Sequence, residues 1–390
     1  MRIGIDARKL HDFGIGTYIR NLLKQLSRLD HTTEFVLLCR PEDGTALRAL
    51  GENFRPVFET SGNYSIAEQL RIPLTLKREG VTLFHAPHYV LPPLVSCKSI
   101  VTIHDCIHLM FPQYLPNRFA LGYAKASMAM AARRANRVLT MSETSKRDII
   151  KFFGTPAHKI DVIYNAFDER FATDPDEDAV VRVRERFQLQ DPFVLYAGNV
   201  KPHKNLERLI EAFYLVRSGG LDLKLVLIGD EISKYAALRR AIHRHQLHPY
   251  VRFLGYLPEE TLAIMYRLAG VFVFPSLYEG FGLPPLEAMA SGTPVVTSNV
   301  SSLPEVTGDA ALLVDPYDPA AIADGIRRVI SDRPLRDELR RKGLARSRQF
   351  SWETSVRRIR DIYGEVAAVP DRAAAPARTA EREPGGAPPR

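Results

Sequence analysis

Residues 271–297, VFVFPSLYEGFGLPPLEAMASGTPVVT, decide the fold that we predict for this chain. Residues 271–274 are a β-branched and aromatic run typical of a buried strand, and a glycine-bearing loop at 279–282 follows. Two prolines come next, where a helix can begin because its first positions need no backbone donor, and residues 286–290 continue it. Since residues 294–297 are again rich in β-formers, the stretch predicts a strand–loop–helix–strand unit.

This loop predicts a site for a phosphate group. The free N–H groups of the helix start and the loop amides of Phe281, Gly282 and Leu283 form a positive pocket. Glu279 on the loop and Glu287 in the first helical turn bracket that pocket, although a first-turn carboxylate is also a common helix cap. Carboxylates accept hydrogen bonds from hydroxyl groups, so a diphosphate between two polyhydroxylated ends, as in a sugar nucleotide, fits this set.

The run from Glu279 to Glu287, EGFGLPPLE, with the AMASGTPVV that follows it, resembles the signature of a large enzyme family. These are the retaining glycosyltransferases of the GT-B type, which include bacterial mannosyl- and glucosyltransferases. The resemblance implies an α/β fold with two facing Rossmann-like, doubly wound parallel-sheet domains and a C-terminal helix that crosses back to the first domain. It also implies that Glu279 lies by the donor sugar, that the amides of 281–283 touch the diphosphate, and that Glu287 holds the ribose hydroxyls.

Length and composition agree with a two-domain soluble protein. A chain of 390 residues is long enough for two full cores, and 45% hydrophobic and 25% charged residues are ordinary values. No apolar run approaches the roughly 20 residues that span a bilayer, and the N-terminus lacks a signal-peptide core. The 3 cysteines are widely spaced, which argues against a disulfide framework or a zinc site built from cysteines. We predict a cytoplasmic protein, or one peripheral on the inner face of the cell membrane.

The net charge of +8 is concentrated in the first part of the chain. Residues 1–170 contain 23 Lys and Arg against 16 Asp and Glu, which gives +7 and leaves +1 for the remainder. Nucleic acid is not the predicted partner, because no recognised nucleic-acid motif occurs. Peripheral contact with an anionic membrane through this basic domain and a solvated face without a partner both stay open. The basic helix predicted over 117–136 allows the same two interpretations.

A second glycine-bearing segment lies near the N-terminus. The predicted loop of residues 8–16 carries Gly14 and Gly16 and leads into a helix over about 17–27. A dinucleotide-binding loop would place a third glycine where Ile19 stands, so this pattern alone is weak. Beside the central motif it resembles the loop that the family places between its domains, near the donor phosphates and the acceptor. A plain tight turn is the alternative.

Strand-like and helical patterns alternate along the rest of the chain, which predicts parallel sheets. The predicted strands of the first domain are 2–7, 34–39, 81–86, 99–104, 137–141 and 160–163, and those of the second are 193–197, 223–228, 251–254, 271–274, 294–297 and 311–314.

His104 and Asp105 follow the strand predicted over 99–104. With His108 they superficially resemble a zinc-protease helix, but a β-rich run precedes them and Pro112 follows closely, so no stable helix is implied there. The end of a parallel strand is instead where open α/β sheets bind ligands. The resemblance implies that His104 reaches the donor sugar. Asp105 either orients His104 or is a structural loop acid.

Lys204 lies after the first strand of the second domain, where it can act as a point charge on a diphosphate. In the family this Lys contacts the β-phosphate, usually beside an Arg a few residues earlier. That Arg is missing here, since Asn199 and His203 occupy the usual positions, so we expect Lys201 to assist. The segment Gly229-Asp230 resembles the loop under the nucleobase, as does the one that begins at Tyr256.

We predict an acceptor-side domain over 1–168, completed by a C-terminal helix at 352–366, and a nucleotide-sugar donor-binding domain over 169–351. The Asp-x-Asp at 174–176 has the spelling of a metal site but lies in a charged linker, so we expect it to be solvated. Residues 369–390 are rich in Pro, Ala and charge and are predicted to be disordered.

Together the residues and the resemblance predict a metal-independent retaining glycosyltransferase that needs no cofactor besides its nucleotide-sugar co-substrate. His104, Lys204 and Glu279 are the predicted catalytic residues. The predicted partners are a nucleotide-diphosphate sugar donor, with GDP-mannose ahead of UDP- or ADP-glucose, and a glycan or lipid-linked acceptor in cell-surface polysaccharide biosynthesis. Two other classes stay open: a sugar-nucleotide epimerase of the same fold, and a non-catalytic basic protein that binds membranes or polyanions.

Overall fold

The computed structural model describes residues 1–115, 117–189, 192–229 and 235–370, without the side chain of Phe13. The strands are Arg2–Asp6 (β1), Glu34–Cys39 (β2), Phe54–Phe58 (β3), Leu83–Ala86 (β4), Lys98–Thr102 (β5), Arg137–Thr140 (β6), Ile160–Val162 (β7), Phe193–Ala197 (β8), Lys224–Ile228 (β9), Val251–Gly255 (β10), Val271–Phe274 (β11), Val295–Ser298 (β12) and Leu312–Val314 (β13). The α-helices are Phe13–Leu29 (α1), Gly44–Arg48 (α2), Ile66–Arg78 (α3), Ile107–Met110 (α4), Arg118–Arg134 (α5), Glu143–Phe153 (α6), Glu177–Arg186 (α7), Leu206–Ser218 (α8), Ala236–Arg244 (α9), Glu259–Leu268 (α10), Leu283–Ala290 (α11), Leu303–Thr307 (α12), Pro319–Ser331 (α13), Arg333–Ser347 (α14) and Trp352–Ala368 (α15).

Two parallel sheets form the framework, one in each half of the chain. The first sheet has the order β3-β2-β1-β4-β5-β6-β7, and the second has the order β10-β9-β8-β11-β12-β13. Their central strands are buried on both faces, which explains why the sequence shows continuous apolar runs rather than alternation. The predicted fold class, two doubly wound parallel-sheet domains, is confirmed.

The strand β3 was not predicted from the sequence. β3 contains Pro56, which cannot donate a hydrogen bond to a sheet ladder. The structure accommodates this proline because β3 is an edge strand and pairs only with β2, with Pro56 opposite Leu37. A proline inside a short run argues against a strand unless its position at the edge is known.

The start of α1 corrects a second expectation. The helix begins at Phe13 rather than near Thr17, so Gly14 and Gly16 lie in its first turns and not in a loop before it. The Gly16 N–H already bonds to the Asp12 carbonyl. Glycine lowers helix propensity, which is why the sequence pattern placed the helix start too late.

The C-terminal helix α15 crosses back to the first domain, as expected. The buried Tyr363 hydroxyl lies 2.6 Å from His85 Nδ1 on β4, and Arg360 donates to the Leu29 carbonyl at the end of α1 over 3.0 Å. Burial lowers the pKa of His85 to about 3, so the ring is neutral in this contact. The helix ends at Ala368, and residues 371–390 of the tail predicted to be disordered lie outside the described residues. Within the described part of the chain, we find no helix both long and apolar enough to cross a membrane.

Candidate active site

A cleft of about 1030 Å³ separates the carboxyl ends of the two sheets. Its walls come from both domains, so residues that are distant in the sequence face one another across it. The predicted site residues that line it are Gly14, His104, Asn199, Lys201, Lys204, Glu279, Phe281, Gly282, Leu283 and Glu287.

Gly16 and Gly229 do not line the cleft. A Cβ on Gly16 would collide with the carbonyl of Leu10, so this glycine permits a close packing contact instead. The Gly229 N–H donates to the Gly255 carbonyl over 2.9 Å at the end of the sheet. Asp230, predicted beneath the nucleobase, lies outside the described residues, whereas Tyr256 does line the cleft and is 73% exposed.

Lys204 and Glu279 form an ion pair at the bottom of the cleft. Lys204 Nζ lies 2.6 Å from Glu279 Oε1, with the two side chains only 11% and 13% exposed. The Ser276 hydroxyl donates to the same Oε1 over 2.6 Å. Lys204 is in position because the next residue, Asn205, adopts a left-handed conformation and donates to the carbonyls of Pro275 and Pro316. This positioning role of Asn205 was not predicted from the sequence.

The loop before α11 is fixed from behind by two serines. The Ser301 hydroxyl accepts from the Glu279 N–H over 3.0 Å, and the Ser302 hydroxyl donates to the carbonyls of Glu279 and Phe281. Gly282 has a φ of +110°, which favours glycine. Because two prolines occupy the first turn of α11, the anion-binding donors at this helix start are the loop amides that lead up to Leu283.

Glu287 is held on α11 by the buried Tyr266, whose hydroxyl donates to Glu287 Oε2 over 3.2 Å. Burial raises the pKa of Glu287 to about 7, although the Tyr266 hydrogen bond opposes this shift. The carboxylate is therefore poised to change its charge near neutral pH. A hydroxyl-rich ligand that donates to it would favour the ionised form.

The segment that should carry the missing Arg contains a neutral His203. Burial and then the charge of Lys204 lower the pKa of His203 to about 4, so it adds no cation at neutral pH. Its carbonyl instead accepts the Leu277 N–H over 2.7 Å. Asn199 Oδ1 has no hydrogen-bond partner among the described residues, and Lys201 lines the cleft beside it. Lys201 thus remains the nearest candidate to assist Lys204.

His104 lies on the opposite wall, just after β5. Its Nε2 lies 3.0 Å from the Pro87 carbonyl, and its ring contacts Tyr18 edge-on at 5.1 Å between centroids. Burial lowers the pKa of His104 and raises that of Asp105. The Asp105 carboxylate accepts the Ile107 N–H over 2.9 Å, so of its two interpretations the structural loop acid is favoured.

The two walls touch at Gly280. Its carbonyl accepts from the Ser142 hydroxyl over 2.7 Å, which joins the glycine loop to the cap of α6. A Cβ at Gly280 would lie 2.8 Å from the His104 carbonyl oxygen and 2.9 Å from Asp105 Cβ. Close approach of the two domains therefore requires glycine at this position.

Two further contacts join the domains beside Gly280. The Tyr278 hydroxyl donates to Asp148 Oδ2 over 2.7 Å, and Glu305 accepts the backbone N–H groups of Glu143 and Thr144 at the start of α6. The sequence gives no local signal for such pairs, because their members lie more than 100 residues apart. Arg20 lines the cleft from α1, and the sequence carries no local signal for that position either.

The Asp-x-Asp at 174–176, which has only the spelling of a metal site, is solvated, as predicted. Asp174 is 95% exposed and pairs with Arg267, and Asp176 is 69% exposed near Arg182. Neither carboxylate lines the cleft.

Comparison with known proteins identifies the relatives of this architecture. Residues 179–346 match the family Glycosyl transferases group 1, and residues 14–171 match Glycosyltransferase Family 4. The O-antigen chain mannosyltransferase B of Escherichia coli is 35% identical over 283 residues, which cover 72% of this chain and 74% of that protein. The Escherichia coli serotype-specific mannosyltransferase WbdA is 30% identical over 67% of this chain and 33% of its own length.

Solved structures share the fold. The Anabaena protein HepE in complex with UDP-glucose superposes with a TM-score of 0.75 at 19% identity, covering 94% of this chain and 100% of that one.

Proposed function

This chain belongs to the group 1 glycosyltransferases, and from that premise we propose that it transfers mannose from GDP-mannose to a hydroxyl group of a glycan or lipid-linked acceptor. The named mannosyltransferase relatives support the choice of sugar, and the O-antigen role of the first supports a place in cell-surface polysaccharide synthesis. The observation that carries the proposal is the meeting of Lys204, Glu279 and the loop amides on one wall of the cleft with His104 on the other.

In this proposal the second domain binds the donor. Lys204 and the amides that lead up to Leu283 hold the diphosphate and stabilise the charge that develops as the nucleoside diphosphate leaves. The Glu287 carboxylate accepts from the ribose hydroxyls, and Glu279, anchored by Lys204, accepts from a hydroxyl of the donor sugar. These fixed charges and dipoles supply the stabilisation that a metal ion gives in other enzymes, so the reaction needs no metal.

We propose that transfer proceeds with retention of the anomeric configuration. The leaving phosphate oxygen takes the proton of the acceptor hydroxyl, and that hydroxyl attacks from the same face of the sugar. Since Glu279 already accepts from Lys204 and Ser276, we assign it to sugar binding rather than to nucleophilic attack. Contact of the domains at Gly280 would exclude water and limit donor hydrolysis.

Contact with an anionic membrane surface is the second part of the proposal. Three aliphatic residues one turn apart on α3, Ile66, Leu70 and Leu74, are 83%, 50% and 68% exposed, and Phe119 at the start of α5 is 89% exposed. We call these four residues the α3–α5 surface. The segment just before α3 contacts α5, because Tyr64 and Tyr123 lie 6.1 Å apart between ring centroids.

The charges around the α3–α5 surface support lipid as its partner. Arg71, Lys77 and Arg78 on α3 are exposed, whereas Glu68 in that helix is buried. The sequence of α5 contains basic residues but no Asp or Glu. Exposed apolar side chains beside basic groups are typical of helices that lie at the interface of anionic membranes. Such contact would bring the cleft close to a lipid-linked acceptor.

The proposed donor and metal independence are tested by one binding screen. The purified protein is titrated with GDP-mannose, UDP-glucose, UDP-N-acetylglucosamine and ADP-glucose with EDTA present, beside a Glu287→Ala variant. We expect saturable binding of GDP-mannose that survives EDTA and weakens in the variant. A requirement for a divalent ion, or preference for another donor, would contradict the corresponding part of the proposal. NMR of the transfer product would then report the anomeric configuration.

A further inference from the structure

A second polar recess lies in the first domain, outside the residues that line the cleft. It has a volume of about 10 Å³ and is formed where β1 and β4 end, with Arg8, Tyr64, Glu68, Pro87 and His88 among its lining residues. That volume fits a single hydroxyl group or one water molecule. The function proposed above assigns none of these lining residues to the donor or the acceptor.

Two of the residues that line the recess each have a buried nitrogen atom without a partner among the described residues. Arg8 Nη1 and His88 Nδ1 have no hydrogen-bond partner within the described part of the chain. The Arg8 side chain is only 4% exposed, and His88 is 8% exposed. Buried polar atoms are almost always satisfied, so these two nitrogens indicate a missing polar group.

The surrounding contacts fix both side chains rigidly. Arg8 donates from Nε and Nη2 to Asp6 over 2.8 and 2.7 Å, and from Nη2 to Glu68 over 3.1 Å. His88 Nε2 lies 3.2 Å from the Tyr64 hydroxyl. The unpartnered atoms are therefore held in place by their own neighbours rather than being mobile ends of side chains.

The charge of the recess favours a neutral ligand. The Arg8 guanidinium is balanced by the carboxylates of Asp6 and Glu68, and Lys9 pairs with Asp12 over 2.8 Å. Burial lowers the pKa of His88 well below its usual range, so this ring is neutral. A phosphate or carboxylate would meet two resident carboxylates, whereas a hydroxyl group can both donate and accept there.

Pro87 connects the recess to the wall of the cleft that carries His104. Pro87, which lines the recess, accepts the hydrogen bond of His104 Nε2 over 3.0 Å. Arg8 and Lys9 also lead from β1 towards α1, whose Gly14 lines the cleft. A group in the recess thus lies on the acceptor side of His104.

We propose that Arg8 and His88 bind a hydroxyl group of a neutral sugar at the end of the acceptor, close to the hydroxyl that is glycosylated. This assignment rests on the proposed transferase function. His88 Nδ1 and Arg8 Nη1 orient the sugar and thereby help to select which of its hydroxyls faces the donor.

The test compares two His88 variants that keep different halves of the imidazole. His88→Gln places an amide near Nε2 and loses Nδ1, whereas His88→Asn keeps an amide near Nδ1 and loses Nε2. The probe is methyl α-D-mannopyranoside, with transfer from GDP-mannose measured at increasing probe concentration. The exposed His31 provides the matched control variant His31→Gln. Calorimetry with GDP reports the donor site separately.

We expect His88→Gln to raise the half-saturating probe concentration about five-fold, as for a lost hydrogen bond, with a smaller rise in His88→Asn and none in His31→Gln. Equal values for all four proteins would overturn the inference, because the recess would then hold only a structural water. A wild-type protein that binds GDP but whose turnover ignores the probe would also overturn it. Failure to bind GDP at all would instead refute the proposed function.

Discussion

The donor-side wall of the cleft and the region behind its acceptor-side wall differ in how their polar groups are satisfied. On the donor side Lys204 is paired with Glu279 and the Tyr266 hydroxyl donates to Glu287, although Asn199 Oδ1 has no partner among the described residues. Behind the acceptor-side wall, in the recess beside Pro87, Arg8 and His88 keep buried nitrogen atoms without partners among the described residues. Under our proposal the donor wall is thus preorganised for a diphosphate, whereas the recess behind the acceptor wall is completed by its ligand.

The two domains also differ in the surface that they present. The first domain carries most of the net charge and exposes the α3–α5 surface, while the second is nearly neutral overall. A nucleotide sugar is small and needs an enclosed polar site. A glycan on a lipid carrier needs an open groove near a membrane, so we expect mutations in the two domains to separate donor binding from acceptor and membrane binding.

The largest effect is expected at the donor wall, from Lys204→Ala. Removing this cation leaves Glu279 buried and unpaired beside the diphosphate, and turnover should fall about 100- to 1000-fold. Transfer and donor affinity are measured together, with the exposed Lys24→Ala as the control. Nearly normal turnover in Lys204→Ala would contradict the role proposed for this residue on the donor wall.

Gly280→Ala tests the contact between the walls. The new Cβ would lie 2.8 Å from the His104 carbonyl, so closure of the domains should be impaired and kcat should fall about 100-fold. Affinity for GDP should change little, because the donor wall itself is intact. Gly122→Ala on α5, where no atom lies within 4 Å of the added Cβ, is the matched control. Loss of GDP affinity rather than kcat would contradict this interpretation.

The pH dependence of donor binding tests the assignment of Glu287 to the ribose hydroxyls. Since the pKa of Glu287 is raised to about 7 by burial, its carboxylate becomes protonated as the pH falls below 7 and then accepts fewer hydrogen bonds. Affinity for GDP-mannose should weaken about ten-fold between pH 8 and pH 6. Glu287→Gln should bind weakly at both values. A wild-type affinity that is constant over this range would exclude Glu287 as the ribose ligand.

The same raised pKa predicts an effect on stability without ligand. The folded state binds the Glu287 proton more tightly than the unfolded chain, so this stabilisation is present at low pH and is lost as the pH rises through about 7. Glu287→Gln should therefore raise the Tm of the ligand-free protein at pH 8 by a few degrees and change it little at pH 5. Thermal unfolding at both pH values distinguishes these outcomes.

The smallest effect is expected for membrane binding, and only substitutions in the first domain should weaken it. A Leu70→Ser/Leu74→Ser variant should bind vesicles of 70% phosphatidylcholine and 30% phosphatidylglycerol about five-fold more weakly, because two aliphatic side chains no longer enter the interface. Val181→Ser/Leu313→Ser, also exposed, is the control on other surfaces. Equal sedimentation of both variants with the vesicles would remove the α3–α5 surface from the proposal.

The strand–loop–helix unit that we assign to the donor could be predicted in advance because short contiguous motifs encode it. The strand, loop and helix of residues 271–297 have distinct local patterns, and backbone amides bind a phosphate wherever such a unit forms. The alternation of strands and helices likewise predicted both parallel sheets. The edge strand with Pro56 and the early start of α1 were missed, since pairing partners override local propensity there.

The sequence by itself therefore determined the two-sheet fold, the family and the loop–helix motif of residues 279–287. Only the tertiary structure decided that Gly280 touches His104, that Asp105 caps a turn, that Gly16 packs against Leu10, and that Arg8 and His88 share a recess. The physical reason is the range of the interactions. Propensity and helix-start geometry act within one turn or strand, whereas burial, hydrogen-bond satisfaction and close backbone approach depend on which distant segments the fold brings together.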